Sequence, residues 1–384
     1  MTAAAPVNPF VDLVLDAVEL KTPLRVTGRA HWVDAGRPVE ATRIASVAAH
    51  AGVVDYVPGD LTITVRGGTT LNEIHRITAA EGQQFPLDPA GPGDGTIGAT
   101  IATGSFGPLA HSFGQARDLV LGVEFVTGDG KLVRGGGRVV KNVAGFDLVR
   151  LVTGSWGTIG IVTEATLRLY SVPAASVTLA MTVPDQAVLL AQRVGSILNG
   201  PLTPLRTELV SGGVASMLGL PRRHALLVEL AGNSASVAAQ KDSLARLAGV
   251  TEIPSGVWDR LRSIEADVAA RGLPIVLRIS CLPSRVPQLW TSLAGIESGF
   301  DGALVHSTPA LGIIRCILPG NASLASMSGF AAGMPDVTII YERLPAAMWR
   351  DLSPGVVSDR LSRGIMKAFD PHRILNPGIL GPAS

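Results

Sequence analysis

The sequence predicts an α+β protein made of two unlike stretches, and three observations carry that reading. Glycine recurs between Asp88 and Pro173 beside Thr, Ser and short β-branched runs, so that each turn opens an apolar strand or helix. From Ser176 the glycines thin out, and a strand–helix rhythm appears and later repeats. The chain has 384 residues, of which 47% are apolar, enough to bury more than one domain core.

The first helix is placed by Phe10, Leu13, Val14 and Val18, which fall on one face at helical spacing. Leu24–Thr27 reads as a short strand ending at Gly28. Val53–Val57 and Leu61–Arg66 are β-branched runs around the turn Pro58-Gly59-Asp60. Thr70 is placed to cap a helix over Leu71–Gly82, with Glu73 three residues on and Gly82 as its stop. The Gly/Pro-rich loop Asp88–Gly95 leads into a helix of small residues from about Thr96 to Thr103. Val120–Thr127 and Leu132–Arg134 flank Gly128-Asp129-Gly130 as a hairpin. Phe146–Thr153 has the spacing of a short helix closed by Gly154, and Gly160–Tyr170 alternates as a strand up to Pro173.

In the second stretch the expected order is strand Val177–Val183, helix Gln186–Leu198, strands Arg206–Val210 and Ala225–Ala231, and helix Ser234–Leu247. The rhythm then recurs as strand Ile275–Ser280, helix Pro287–Leu293, strands Gly302–Thr308 and Gly312–Leu318, helix Ser323–Ala332 and strand Val337–Glu342. Two related α+β halves on one antiparallel sheet account for this repetition. The tail Leu361–Leu380 is apolar and rigid, with a turn at Asn376-Pro377-Gly378, and is expected to dock.

A net charge of +1 with 16% charged residues favours neither nucleic acid nor an anionic membrane. Mean hydropathy is +0.35, yet no run reaches the roughly 18–20 apolar residues of a membrane span. The start, MTAAAPVNPF, has no basic region, and Asp12, Asp16 and Glu19 interrupt the apolar run after it, so a cytoplasmic protein is expected. Cys281 and Cys316 cannot build an iron–sulfur cluster or a Cys-rich zinc site; two free thiols are expected. No G-x-G-x-x-G opens a helix after a strand, no Walker loop or G-x-S-x-G elbow occurs, and the seven histidines are not paired at metal-ligand spacing.

The chemistry these residues carry is that of an anion cradle. Glycine lets backbone approach a ligand, and concave runs of main-chain N–H bind anions such as a pyrophosphate. Gly95-Thr96-Ile97-Gly98, followed by Thr103-Gly104 and Gly107, is the stronger candidate, with a plain glycine-rich turn as the alternative. Gly157 to Ile161 could present a backbone edge to a planar heterocycle or simply start a strand. Lys141 and Asn142 could meet a ligand or close an exposed hairpin end, and His31 is expected to be an exposed loop histidine. Arg278, His306 and Arg315 fall on strands of the second stretch; an arginine there can hold a carboxylate or pair with Glu342 or Glu229.

These pieces resemble a known family. DPAGPGDGTIGAT at 88–100, RDLVLGV at 117–123, TGDGK at 127–131, VKNVAGFDLVRL at 140–151, GSWGTIGIVTE at 154–164 and FDPHRILNPG at 369–378 stand in the order of the flavoproteins related to vanillyl-alcohol oxidase and p-cresol methylhydroxylase. Within them the chain is most similar to the FAD-binding E-type subunits of glycolate oxidase. The resemblance covers residues 1–173 and the tail well, and the middle by length and rhythm. It implies a PCMH-type FAD-binding domain of two α+β subdomains at 1–173, an α+β cap domain with an antiparallel sheet at 174–360, and a tail, 361–384, that returns to the first domain.

The resemblance also implies site residues. Gly28 would belong to a first pyrophosphate loop. Pro89, Gly95, Thr96, Ile97, Gly98, Thr103, Gly104 and Gly107 would belong to a second. Gly157, Gly160 and Ile161 would line FAD through their backbone, and Asn376 would lie near the flavin ring. The first loop here is Thr27-Gly28-Arg29-Ala30-His31, where the family carries two glycines and a small polar residue, so either Arg29 would clamp the pyrophosphate or the loop, and FAD with it, would be held less firmly. The catalytic relatives hold a metal with a pair of cap histidines that is missing here. Beside a stand-alone oxidase of sugar alcohols or lactones of the same superfamily, two functions stay open. One is a 2-hydroxy-acid oxidoreductase subunit that passes electrons to a second flavin subunit and an iron–sulfur subunit, with a location at the inner membrane face through those partners. The other is an electron-relay or assembly subunit of such a complex.

Overall fold

A computed structural model describes residues 8–137, 146–247, 249–270, 272, 274–294, 296, 300, 302–334, 336–353 and 359–381. Lys141 and Asn142 lie outside them. The chain opens with α1 (Pro9–Glu19), whose proline sits in the first turn and whose cap, Asn8, accepts from Phe10 N. It buries Phe10, Val14 and Ala17. Strands β1 (Leu24–Thr27) and β2 (Arg43–Ser46) pair in parallel. β1 is also bridged in parallel to Leu375, so the tail completes this small sheet.

A five-stranded antiparallel sheet follows from β3 (Val53–Val57), β4 (Thr62–Arg66), β6 (Val120–Val126), β7 (Leu132–Gly136) and β8 (Ile161–Arg168), in the order β3-β4-β8-β6-β7. Between its strands lie α2 (Leu71–Ala79), β5 (Gln83–Gln84), α3 (Ile97–Thr103), α4 (Ala110–Phe113), α5 (Ala116–Leu119) and α6 (Leu148–Val152). Ile63, Val65, Ile74, Ile97, Ile101, Phe125 and Leu167 form the core between sheet and helices. The expected strand from Leu61 starts one residue later because Leu61 is left-handed, with φ of 54°. The strand expected over Gly160–Tyr170 breaks at Leu169, and β9 (Tyr170–Ser171) turns off to pair with β5. The helix expected from Phe146 starts at Leu148, where Asp147 caps Arg150 N.

The second sheet is eight-stranded and wholly antiparallel. Its strands are β10 (Ala175–Thr182), β11 (Pro204–Val210), β12 (Ala225–Gly232), β13 (Val250–Ile253), β14 (Ile275–Ser280), β15 (Leu304–Thr308), β16 (Ile313–Leu318) and β17 (Thr338–Arg343). The order is β13-β10-β12-β11-β15-β16-β14-β17. Renumbering each half from one to four gives 4-1-3-2 and then 2-3-1-4, so the repeat read from the strand–helix rhythm is a structural one. One face is covered by α7 (Ala187–Leu198), α9 (Ser234–Ala245), α11 (Val286–Ala294) and α12 (Leu324–Ala332), packed on Leu209, Val228, Leu277 and Cys316. The other face is covered in part by α8 (Gly212–Met217) and α10 (Val257–Ala269), on Val210, Leu227, Val276 and Ile317. Residues 257–269 stand outside the elements expected from the sequence, although Val257, Trp258, Leu261, Ile264 and Val268 recur there at helical spacing. The rest of that face carries polar side chains and looks toward the first sheet. No helix among the described residues is long and apolar enough to cross a membrane.

Candidate active site

Strand β1 delivers the first loop, residues 28–32, to the start of α3. A Cβ on Gly28 would sit 2.2 Å from Thr96 Oγ1, so only glycine lets the two segments touch. Gly98 also packs closely, its position for a Cβ lying 2.9 Å from Gly67 O. The start of α3 nevertheless keeps its donors. Ile97 N bonds Thr69 O at 2.9 Å, Gly98 N bonds Gly67 O at 2.8 Å, and Ala99 N bonds the capping Thr96 Oγ1 at 3.3 Å. The free donors are in the first loop instead. The five consecutive N–H groups from Gly28 to Trp32 have no acceptor among the described residues, and Ala30 within them is left-handed at φ 66°. A run of unsatisfied N–H bent in this way is an anion nest.

This nest opens on a cleft of about 940 Å³. Ten of the expected residues line it: Gly28, Arg29, Pro89, Gly95, Thr96, Gly98, Thr103, Gly157, Gly160 and Asn376. Gly104 and Gly107 lie at a neighbouring cavity. Gly104 ends α3 with φ 63°, and a Cβ on Gly107 would strike Asp88 O at 2.0 Å. The side chains of Ile97 and Ile161 are buried in the apolar cores. Arg29 is turned toward Asp94, 3.6 Å away, and His31 Nε2 lies 2.9 Å from the same carboxylate.

The far wall is a turn with two left-handed residues, Trp156 at φ 55° and Gly157 at φ 69°. Trp156 is held from both sides. Its N–H donates to Ala102 O at 2.7 Å, and its carbonyl accepts from Asn376 Nδ2 at 2.7 Å. Asn376 Oδ1 in turn accepts from Val26 N at 2.8 Å. The Trp156 and Trp32 rings meet edge to face at 6.2 Å, and the Arg343 guanidinium lies 5.5 Å from the Trp32 ring.

Trp32, Ala90, Thr103, Ser105 and Trp156 also line a second cavity of about 1660 Å³, bounded on its other side by the eight-stranded sheet. Asp88 stands at this junction. It accepts from Leu109 N at 3.1 Å and from Arg206 Nη1 of β11 at 3.2 Å, and burial pushes its carboxyl up to about 6 against the pull of Arg206 and Arg262. Arg206 reaches Glu229 as well, at 2.5 Å, and lies 4.3 Å from the Trp258 ring.

On the sheet, Arg278, Arg315 and His306 are cross-strand neighbours on one face, since Arg278 is opposite Arg315 and Arg315 opposite His306. All three line the cavity. Arg315 is buried and bonded to Glu265 and Glu342. Burial opposes its charge, but the two carboxylates outweigh burial and hold the guanidinium above its ordinary range. His306 Nδ1 is 2.6 Å from Glu208 Oε1, and Thr308 donates to Glu208 Oε2 at 2.7 Å. Arg278 makes no hydrogen bond among the described residues; Glu342 lies 3.6 Å from its Nε and Phe106 5.6 Å from its guanidinium. Glu229, the other partner considered from sequence, goes to Arg206. No group of three or more His, Cys, Asp or Glu among the described residues could hold a metal ion.

The arrangement is a nest for an anion, a long cleft and an adjoining polar chamber. Such a concave site with a few convergent polar groups is suited to holding a ligand. A family profile described as "FAD binding domain" matches residues 6–136. The chain is 34% identical over 281 residues to glycolate oxidase subunit GlcE of Escherichia coli, covering 73% of this chain and 74% of that one. The chain therefore belongs to the FAD-binding oxidoreductase family of the glycolate oxidase type, and its cofactor is FAD. It is 27% identical to D-2-hydroxyglutarate dehydrogenase of Xanthomonas citri over 85% of this chain and 77% of the relative. Glycolate oxidase subunit GlcD of Bacillus subtilis matches 39% of this chain and 32% of its own length at 37% identity. Among solved structures, alkyldihydroxyacetonephosphate synthase superposes with a TM-score of 0.66 at 16% identity, over 97% of this chain and 76% of that one, which shows the shared PCMH-type fold.

Sequence reading misses several residues of this site. Trp32, Glu208 and Glu265 line the chamber and carry no motif of their own. Asp88 and Trp156 could have been noticed because they sit inside the runs DPAGPGDG and GSWGTIG. Glu208 and Glu265 could not, since only strand pairing and the unforeseen α10 bring them to the cations.

Proposed function

We propose that the chain is the FAD-carrying subunit of a glycolate oxidase-like complex, oxidises a small 2-hydroxy acid and passes the electrons to partner subunits, a second flavin subunit and an iron–sulfur subunit. The observation that carries this reading is Arg278, which makes no hydrogen bond among the described residues and has Glu342 3.6 Å from its Nε, in a chamber that shares five lining residues with the cofactor cleft. A guanidinium in that state suits the carboxylate of a 2-hydroxy acid. Flavin, when bound, supplies the two-electron acceptor that no side chain here can provide. The nest at residues 28–32 would hold the pyrophosphate, and the turn at Trp156–Gly160 would flank the flavin, with the tail through Asn376 keeping that turn in place. Residues 1–173, 174–360 and 361–384 act as cofactor domain, cap and docking tail. In this reading the subunit is cytoplasmic and held at the inner membrane face by its partners.

A relay or assembly subunit is the second reading. It is favoured by one observation: Arg315 and His306 are already engaged by Glu265, Glu342 and Glu208. An anaerobic visible spectrum separates the two. Flavin bands that bleach with glycolate or D-lactate support the oxidoreductase. Bands that persist with every small 2-hydroxy acid support the relay.

A further inference from the structure

The chamber holds one group that the proposed function leaves without a task. His306 lies on β15, whose alternation sends Val305 into the apolar core and His306 and Thr308 to the chamber. Its Nδ1 is 2.6 Å from Glu208 Oε1. Glu208 is buried, and its second oxygen is taken by Thr308 at 2.7 Å. A carboxylate placed so firmly accepts from the ring, so Nδ1 carries a hydrogen, and in the neutral ring the lone pair is then on Nε2. Nε2 has no partner among the described residues. Arg315 stands directly across the ladder from His306, and Arg278 beyond it.

We propose that His306, oriented by Glu208, is the base that takes the hydroxyl proton of the substrate. This inference rests on the 2-hydroxy-acid reading. As the O–H bond breaks, its proton goes to His306 Nε2 and its electron pair forms the second C–O bond. The α-hydrogen leaves carbon with both electrons of the C–H bond and is taken by the oxidised flavin. The alcohol becomes a 2-oxo acid, the flavin is reduced by two electrons, and the imidazolium is stabilised by Glu208. The other charged groups facing this chamber are Glu265 and Arg262 from α10, Glu342 from β17, and Asp88, Arg117 and Arg150 from the first domain. Arg315 is neutralised by its two glutamates, so the Glu208–His306 pair is the acceptor of the row.

The test uses the full-length flavin-loaded chain and His306→Gln. One readout is the anaerobic rate of flavin bleaching by glycolate or D-lactate. The second needs no turnover: the proton uptake that accompanies binding of oxalate, measured by calorimetry in buffers of different ionisation enthalpy. Loss of a general base lowers rates by about 10²–10⁴-fold, so His306→Gln is expected to bleach that much more slowly while keeping its FAD. Oxalate is expected to bind both proteins, with proton uptake in the wild type only. Glu208 is a positioning residue. Glu208→Gln should lower kcat more than it raises KM, and Glu208→Asp should recover part of the loss. Bleaching of His306→Gln at the wild-type rate, or proton uptake unchanged in it, overturns the assignment of the base alone. A wild type that retains FAD but is reduced by no 2-hydroxy acid overturns the 2-hydroxy-acid reading, and the base with it.

Discussion

Asn376 and Trp156 are joined by a 2.7 Å hydrogen bond from the Asn376 side-chain amide to the Trp156 carbonyl. The same side chain accepts from Val26 N at 2.8 Å. One amide, buried and left-handed at φ 43°, thus ties the tail to the first strand and to the turn at the cofactor cleft. Asn376→Asp keeps the bond to Val26 but sets a carboxylate oxygen against the Trp156 carbonyl. Leaving such buried groups unsatisfied costs about 1–3 kcal/mol. The expected outcome is a lower thermal midpoint and less bound FAD, read together by calorimetry and by the ratio of visible to ultraviolet absorbance.

Gly28 offers a sharper probe of the nest. In Gly28→Ala the added carbon would lie 2.2 Å from Thr96 Oγ1, so the loop must retreat from α3. FAD content is expected to fall at least about tenfold, roughly 1.4 kcal/mol of binding. Arg343 of β17 bonds His31 O at 3.0 Å, so that edge strand feels the change, whereas strands β10, β12 and β13 at the other end of the sheet should keep their hydrogen-exchange protection. Normal flavin content in the variant would remove the first loop from the pyrophosphate site.

Asp88 makes stability depend on pH. Its carboxyl is raised from an ordinary 3.8 to about 6, chiefly by burial. A carboxyl that holds its proton more tightly when folded favours the fold below the unfolded value and loses that contribution as pH rises through the folded one. Stability is therefore expected to fall between about pH 4 and pH 6, by on the order of 2–3 kcal/mol. Asp88→Asn should flatten this part of the profile. Thermal midpoints of both proteins at closely spaced pH values check it, and a wild-type profile without the fall would refute it.

Arg278 should matter for substrate alone. Arg278→Ala is expected to raise KM for a 2-hydroxy acid by about 10–100-fold, on the scale of a lost charged hydrogen bond. FAD content should not change. Titration with oxalate gives the same comparison without turnover.

Cysteine reactivity is predicted from burial. Burial raises the thiol of Cys281 and pushes that of Cys316 up to about 12. In the folded protein Cys281 should react slowly with a thiol reagent and Cys316 not at all until denaturant is added.

Much of the fold is legible in the chain because local chemistry writes it. Thr70 caps its helix as expected from its position before an apolar run, and Thr96, expected to begin the next helix, caps it instead. The repetition of strand and helix marks the two halves of the large sheet, β15 and β16 among its strands. The illegible parts depend on pairing between distant segments. The helix over 257–269 does carry a signal, Val257, Trp258, Leu261, Ile264 and Val268 at helical spacing, but nothing local shows that Glu265 on its buried face meets Arg315. The start of α3 looks like an anion cradle from its glycines, but the backbone of Gly67 and Thr69 consumes its donors. Only the tertiary contacts reveal that the donors left over belong to the glycine-poor loop after β1.

The closure of β1 by Leu375 and Asn376 sets a schedule for the molecule. A ribosome releases the first strand some 350 residues before the asparagine that secures it. The eight-stranded sheet, encoded without interruption by residues 175–343, can assemble while synthesis continues. The wall of the cleft is tied in place only once Asn376 reaches Val26 and Trp156, so the first strand waits for that distant segment before the cleft takes this form.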